Sequence, residues 1–474
     1  MEKHYLEYSD PNGAEHKFYE VTIDDVNLTI RYGRIGTDGQ SQQKAFPSFE
    51  KAKAEADKKI KEKKRKGYED AVQGVRQKRS ITRRSVEEVR PATSTNRAPV
   101  LWRMKTGSSA FGIYADTERV WVGNQAGKVI AVDHTGETLS TFQLPEGVKC
   151  LVSDGMFMYA GCDDGNVYDL TGKIPFVAYN IDESVDIYWL DIHNGVLGVS
   201  DSRGNVYAFN PESENQWGNI SQNGSAGWMV RMDDAGVYHG HSGGVAAYDL
   251  QSGIELWKAK TNGSVLFGWQ DETHVYAATA MRAVQRFDKK GNLEQTYKCD
   301  SAVFSCASSP DGEYIFAGDN SSAIYAFSKD GTRLWKLNSG CGSALSMQYL
   351  NERLFIVTTD GSLAMIDASP AAIAAAQQGQ LPTVKDIKAQ AGQATAPLQR
   401  QTLQSAQYSG QGVVLKCLKE GGKLRVRVES EGYHDNWNVQ FPKDLREEGA
   451  RYLVDEVAET NGFYRVIGEI RKLD

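Results

Sequence analysis

Between residues 123 and 367 one short pattern recurs seven times, and no other feature restricts the possible folds as strongly. Each copy is an apolar run, a turn and a second apolar run. The turn residue falls at Gly127, Gly165, Gly204, Gly244, Arg282, Ser322 and Gly361. Successive spacings are 38, 39, 40, 38, 40 and 39 residues, close to the roughly 40–45 residues that build one propeller blade. An aromatic side chain keeps the same beat at Trp102, Phe142, Tyr179, Trp217, Trp257, Tyr297 and Trp335. Two markers in phase over seven copies predict a seven-bladed β-propeller spanning residues 99–369. The first outer strand, at 100–102, precedes the first hairpin, while the last hairpin ends at Asp367 without an outer strand. Residues 99–104 are therefore expected to complete the final blade and close the ring, which leaves few exposed strand edges.

The rest of the chain divides around this ring. At 474 residues it exceeds one ordinary core. The expected order is an N-terminal domain (1–72), a basic linker (73–98), the propeller, an Ala/Gln-rich linker (370–412) with a short helix near 371–378, and a small β domain (413–474). No run approaches the roughly 20 apolar residues of a membrane span, and the N-terminus lacks the basic and apolar segments of a signal peptide. Six cysteines without CxxC spacing suit buried thiols in a reducing cytoplasm. No membrane association is expected.

Charge is uneven. Residues 1–98 hold 21 Lys/Arg against 16 Asp/Glu, while the whole chain is net −7. The excess sits between Lys51 and Arg84, where 14 basic residues face 5 acidic ones. Such separation suggests that one end meets a polyanion, although a solvated helix followed by a basic linker has the same composition.

Residues 3–46 contain four β-type runs, at 4–8, 17–23, 27–35 and 40–46, separated by turn residues as in an antiparallel meander. Ser48 is placed to cap a helix from Phe49, with Glu50 at its positive end. Ala52, Ala56 and Ile60 would face the sheet, and Lys63, Lys64, Arg65 and Lys66 would occupy the last turn before Gly67. The strand Tyr32-Gly33-Arg34-Ile35-Gly36-Thr37, then Gly39 and Lys44, then the helix, resembles the WGR domain of poly(ADP-ribose) polymerases and of many bacterial proteins, over residues 3–72. The upstream strand at 17–21 also fits.

That resemblance implies binding of DNA ends, with the signature Trp near a terminal sugar and the signature Arg near phosphate. Carried over by position, these roles fall to Tyr32 and Arg34. Their charge makes Lys44, Lys63, Lys64, Arg65 and Lys66 further candidates for phosphate contact. Tyr32 replaces the family's Trp and offers a smaller flat face. Arg34 keeps a fork of donors suited to phosphate. Both residues could instead be structural, Tyr32 packing in the domain and Arg34 holding a loop. Gly33 belongs to the same nucleic-acid-binding site, where it and Gly36 serve backbone geometry more than contact.

The blades are similar to pyrroloquinoline-quinone-type repeats, in hairpins such as 204–209 and strand ends such as 255–257. That class of dehydrogenase uses eight blades, a secretion signal and a metal, so no cofactor is expected here. Trp189, Trp228 and Trp269 are candidates for a partner-binding propeller face, although blade cores hold such residues too. His239 and His241, without a carboxylate pair nearby, are a weak metal signal.

The C-terminal residues show five β-type runs in the size of an SH3-like or OB-like barrel. Lys416, Lys419, Lys423, Arg425 and Arg427 cluster on its first hairpin, with Tyr433, Trp437 and Tyr464 as aromatics able to stack on single strands. No GxSxG, P-loop, HExxH or Rossmann fingerprint is present. The chain thus reads as mainly β and non-enzymatic. It is expected to be a cytoplasmic, bacterial adaptor that binds nucleic acid, DNA above all, through its first domain and an unidentified protein through its propeller. A protein-only scaffold and a ligand-sensing regulator of a partner enzyme are the alternatives.

Overall fold

The computed structural model describes residues 2–9, 16–34, 39–71, 97–183, 185–212, 214–220, 224–388, 403, 405–408, 410–460 and 462–473. Residues 35–38, 72–96, which hold most of the basic linker, and 389–402 lie outside these.

The N-terminal domain is an antiparallel sheet with one helix. Its strands are β1 (Glu2–Ser9), β2 (His16–Asp24), β3 (Asn27–Arg34), β4 (Gln40–Ala45) and a short β5 (Glu69–Asp70), in the order β4-β3-β2-β1-β5. Helix α1 (Phe49–Arg65) starts where the Ser48 hydroxyl accepts from the Lys51 amide, which satisfies one otherwise orphaned N–H. Ala52, Ala56 and Ile60, spaced at four residues, lie buried on Leu6, Tyr19, Val21, Ile23 and Leu28 of the sheet. That apolar stripe fixes which face of α1 is dry and leaves most of its lysines in water.

The repeats build six four-stranded sheets and one further sheet of the same plan. In each, the first strand is innermost and later strands follow outward. The marker residue of every repeat has positive φ, including Arg282 (64°) and Ser322 (63°). The turn, not the residue type, is what recurs. The aromatic marker also has a physical role. Trp102, Trp217 and Trp257 donate their indole N–H to the carbonyls of His134, Leu250 and Lys289, each in the neighbouring blade. Gly253 and Gly291 sit under two of these rings, and a Cβ at Gly253 would lie 2.5 Å from Trp217. These three tryptophans thus clip one blade onto the next.

Closure occurs as the repeat order requires. Val100–Lys105 pairs antiparallel with Ser362–Asp367, in the register Ser362 opposite Lys105 and Leu363 opposite Met104. One feature differs from expectation: this strand is not the edge. Lys385–Ile387, from the supposed linker, adds in parallel outside it, and Asp386 pairs with Arg103 at 2.5 Å. The linker's helix runs Pro370–Gln377, capped by Ser369, with Ile373 and Ala376 buried on the last blades.

The C-terminal strands Val413–Glu420, Lys423–Val428, Asn438–Gln440, Arg451–Thr460 and Phe463–Leu473 close into a five-stranded barrel. It docks on the second and third blades. Arg465, 1% exposed, pairs with Asp154 and lies 4.5 Å over the Phe157 ring. Arg425 pairs with Glu212 and Glu214, and Lys423 reaches Glu214 at 3.1 Å. No helix among the described residues is long and apolar enough to cross a membrane.

Candidate nucleic-acid interface and propeller channel

Two places hold the residues singled out from the sequence. On the first domain, β2 and β3 set Tyr19 opposite Tyr32 on the sheet face that carries α1. The two rings are 6.3 Å apart, and Tyr68 lies at the same distance beyond Tyr19. Lys63 places its ammonium 4.5 Å over Tyr19 and 5.0 Å over Tyr68, a cation–π contact. Burial, followed by the nearby Lys66 charge, pulls the Lys63 pKa below its usual value. Tyr32 is half-buried. Its hydroxyl donates to Gln40 at 3.1 Å and accepts from Gln42 at 3.2 Å. It is therefore part packing residue, part surface. Gly33 lies in regular strand opposite Phe18. Arg34 ends β3 opposite Lys17, and its side chain is outside the described residues.

The other predicted cations divide. Lys64 pairs with Asp70 at 2.6 Å and Lys66 with Glu62 at 3.0 Å. Lys44 is exposed on β4, 5.2 Å from the Phe46 ring. Arg65 has no ion pair among the described residues. It joins Lys3, His4, Lys61 and Lys64 in an open groove of about 770 Å³ between β1, β5 and α1, where Asp57 and Asp70 are the acidic members. Lys3, His4 and Lys61 were not singled out in the sequence. Their convergence depends on β1 lying beside the C-terminal half of α1, which periodicity alone does not specify.

In the propeller the inner strands face a central channel. Six of them carry a β-bulge near their start, where one extra residue is turned out of register. The extra residues are Phe111, Lys149, Tyr188, Leu266, Phe304 and Leu345. All but Lys149 join Trp228 in one apolar cluster. Trp228 is stacked on Tyr188 at 3.7 Å. It plugs the channel rather than presenting a face. Lys149 is the polar exception, 1% exposed and paired with Asp163 and Asp186.

Trp189, buried in the blade core directly after the bulged Tyr188, and Trp269, near the end of its inner strand, lie toward the other side of the channel. They border a cavity of about 110 Å³ together with Tyr114, Ser153, Asp191, Arg231 and Gln348. His239 and His241 are 5.3 Å apart, centroid to centroid. Among the described residues no group of three or more His, Cys, Asp or Glu could hold a metal ion.

The barrel's cations are engaged within the protein. Lys423 and Arg425 face the propeller, Lys416 is 3.6 Å from Glu429, Lys419 is 3.5 Å from Glu448, and Arg427 is 2.6 Å from Glu420. Tyr464 is fully buried, with Tyr433 and Trp437 packed against it at 5.5 and 5.2 Å. These aromatics belong to the barrel core and do not form an open stacking platform.

Fold and first domain together define a WGR-bearing propeller protein. Residues 2–75 match the WGR domain family. The propeller is similar in fold to the WD40 beta propeller domain of Doa1, with a TM-score of 0.51 at 14% identity, covering 58% of this chain and 99% of that one. The computationally designed Ika8 protein aligns with a TM-score of 0.46 at 12% identity, covering 57% of this chain and 100% of that chain. No curated protein matches the chain.

Proposed function

We propose that this chain is a non-enzymatic adaptor whose WGR domain binds nucleic acid, DNA above all, and whose propeller recruits a protein partner. The observation that carries the reading is the groove of Lys3, His4, Lys61, Lys64 and Arg65 in a domain of the WGR family. Exposed basic side chains spaced along one groove suit a phosphate backbone, because each charged contact releases condensed counterions. Preference for DNA ends, with Tyr32 at a terminal sugar and Arg34 at phosphate, belongs to the same reading. So do a ring of seven blades with quinone-type repeats and a location in a bacterial cytoplasm.

The test is retardation of a labelled blunt duplex and of a closed circle of equal length across a salt series. Affinity should fall by roughly 0.9 log units per log salt for each phosphate neutralised. Tyr32→Ala should erase any preference for ends. Absence of binding at low salt would leave the second reading, a protein-only scaffold. That alternative draws on the hydrogen bonds that already hold Tyr32 and on the internal partners of Lys64 and Lys66.

A further inference from the structure

The cavity at the open end of the channel has an unusual stock of hydrogen-bonding groups. Arg231 enters it from the fourth blade. Its guanidinium lies 5.2 Å from Trp189, 5.0 Å from Trp269 and 5.8 Å from Phe267, so the aromatic cage already holds a cation of the protein's own. The Nε–H is fixed on the Gly268 carbonyl at 3.0 Å. No partner is described for its two terminal nitrogens.

The other polar groups are mostly engaged. Gln348 donates to the Ala115 carbonyl and accepts from the Ala115 amide, both at 2.8 Å. Asp191 accepts from the amides of Ile192 at 3.0 Å and Met232 at 2.8 Å. The unspent capacity is therefore mainly donor capacity, and it is concentrated on one rigid fork. Burial depresses the Arg231 pKa and raises that of Asp191. The two charges attract each other, but burial outweighs that attraction at both groups.

We infer that this cavity binds a carboxylate monoanion through the free fork of Arg231. Planar, two-oxygen acceptors match a guanidinium edge, which accounts for carboxylate over a spherical anion. The volume, about 110 Å³, equals about four waters at about 30 Å³ each. That admits a carboxylate on a short stem. Asp191 stands on the same wall and opposes a second negative charge, which disfavours phosphate. A free short-chain acid and the C-terminus of a peptide share this chemistry. The inference concerns the propeller alone and does not depend on nucleic-acid binding.

The experiment is calorimetric titration of the full chain at constant ionic strength with propionate, acetyl-Gly-Gly, acetyl-Gly-Gly-amide and inorganic phosphate. Propionate binding assigns a free short acid, and binding of acetyl-Gly-Gly alone assigns a chain terminus. The amide and phosphate should bind at least tenfold more weakly than the better acid. Arg231→Gln should lose at least tenfold in affinity. Asp191→Asn should bind the carboxylate more tightly, a gain that a purely structural pair would not produce. Should Arg231→Gln fail to fold, Asp191→Asn and the acid–amide comparison still decide. Equal binding of acid and amide, no binding of either acid, or unchanged affinity in Asp191→Asn would overturn the assignment and leave Arg231 as a channel plug.

Discussion

The end of helix α1 and the first hairpin of the C-terminal barrel look alike as strings of cations, yet the molecule uses them differently. Lys423 and Arg425 of the hairpin are held by Glu214 of the propeller, and Lys416, Lys419 and Arg427 by carboxylates of their own barrel. At α1, Lys61 and Arg65 have no ion pair among the described residues and face a groove. The difference teaches that a basic run reports a surface only when its neighbours in space are known. Charge density along the chain is the same kind of signal in both places. Carboxylates engage all five cations of the hairpin, whereas at the α1 end Asp70 and Glu62 engage Lys64 and Lys66 and leave out Lys61 and Arg65.

The largest effect should come from the docked side of this comparison. Arg465→Ala would leave Asp154 without its partner and strip a guanidinium from the Phe157 ring. Truncating one member of a buried charge pair typically costs about 2–5 kcal/mol. Chemical denaturation should show that loss, together with faster proteolysis between propeller and barrel. An unchanged midpoint would mean that the barrel rides on the propeller without being held.

The exposed side should matter for ligands instead. Replacing Lys61, Lys64 and Arg65 by Gln should weaken duplex binding by roughly 1–3 kcal/mol and flatten its salt slope by about three phosphates' worth. The matched triple change of Lys416, Lys419 and Arg427 to Gln should leave retardation as in the parent. If the barrel variant loses binding and the α1 variant does not, the comparison is reversed.

A third effect depends on pH. His239 is fully buried with no partner described for either ring nitrogen, and burial, then the His241 charge, holds its pKa well below the usual value. The folded state keeps it neutral, while the unfolded chain takes a proton below about pH 6.5. Its contribution is therefore intact above that pH, and stability should fall by up to about 1.4 kcal/mol per pH unit below it. Asp169 acts in the opposite sense, because burial raises its pKa to about 6 and acidification relieves it. Comparing the parent with His239→Gln between pH 7 and 5 isolates the histidine. Parallel melting curves for the two would show that His239 does not titrate on unfolding.

The smallest effect tests the repeat itself. Arg282 is exposed at a positive φ that glycine adopts without strain. Arg282→Gly should stabilise by at most about 1 kcal/mol, since relief of backbone strain is partly offset by unfolded-state entropy. Ser322 shares the conformation, but it is buried and its side-chain hydroxyl lies 3.4 Å from the Ser343 hydroxyl, a contact that glycine lacks. The same change there removes contacts and should not stabilise. A calorimetric melt of each variant checks the contrast.

How far the sequence could be read follows from what each signal depends on. The turn residues and outer aromatics announced the blades because both are local consequences of one repeated hairpin. Ring closure through Val100–Lys105 followed from counting strands. Helix α1 and its buried face were visible in a four-residue spacing. Asp386 beside Arg103 was not, because three residues at 385–387 carry no period and the added strand is defined only by the edge it finds.

Site residues divide along the same line. Sequence alone determined the blade repeat, the WGR likeness and the helix whose last turn is basic, all written in neighbours along the chain. Only the tertiary structure could decide that Trp228 plugs the channel while Trp189 and Trp269 enclose Arg231 at its other end. It also decided that Lys149 takes the one polar place among the bulged residues, and that five hairpin cations are spent internally. Burial, counter-charge and cavity shape are sums over residues distant in sequence, and their values exist only once the ring has closed.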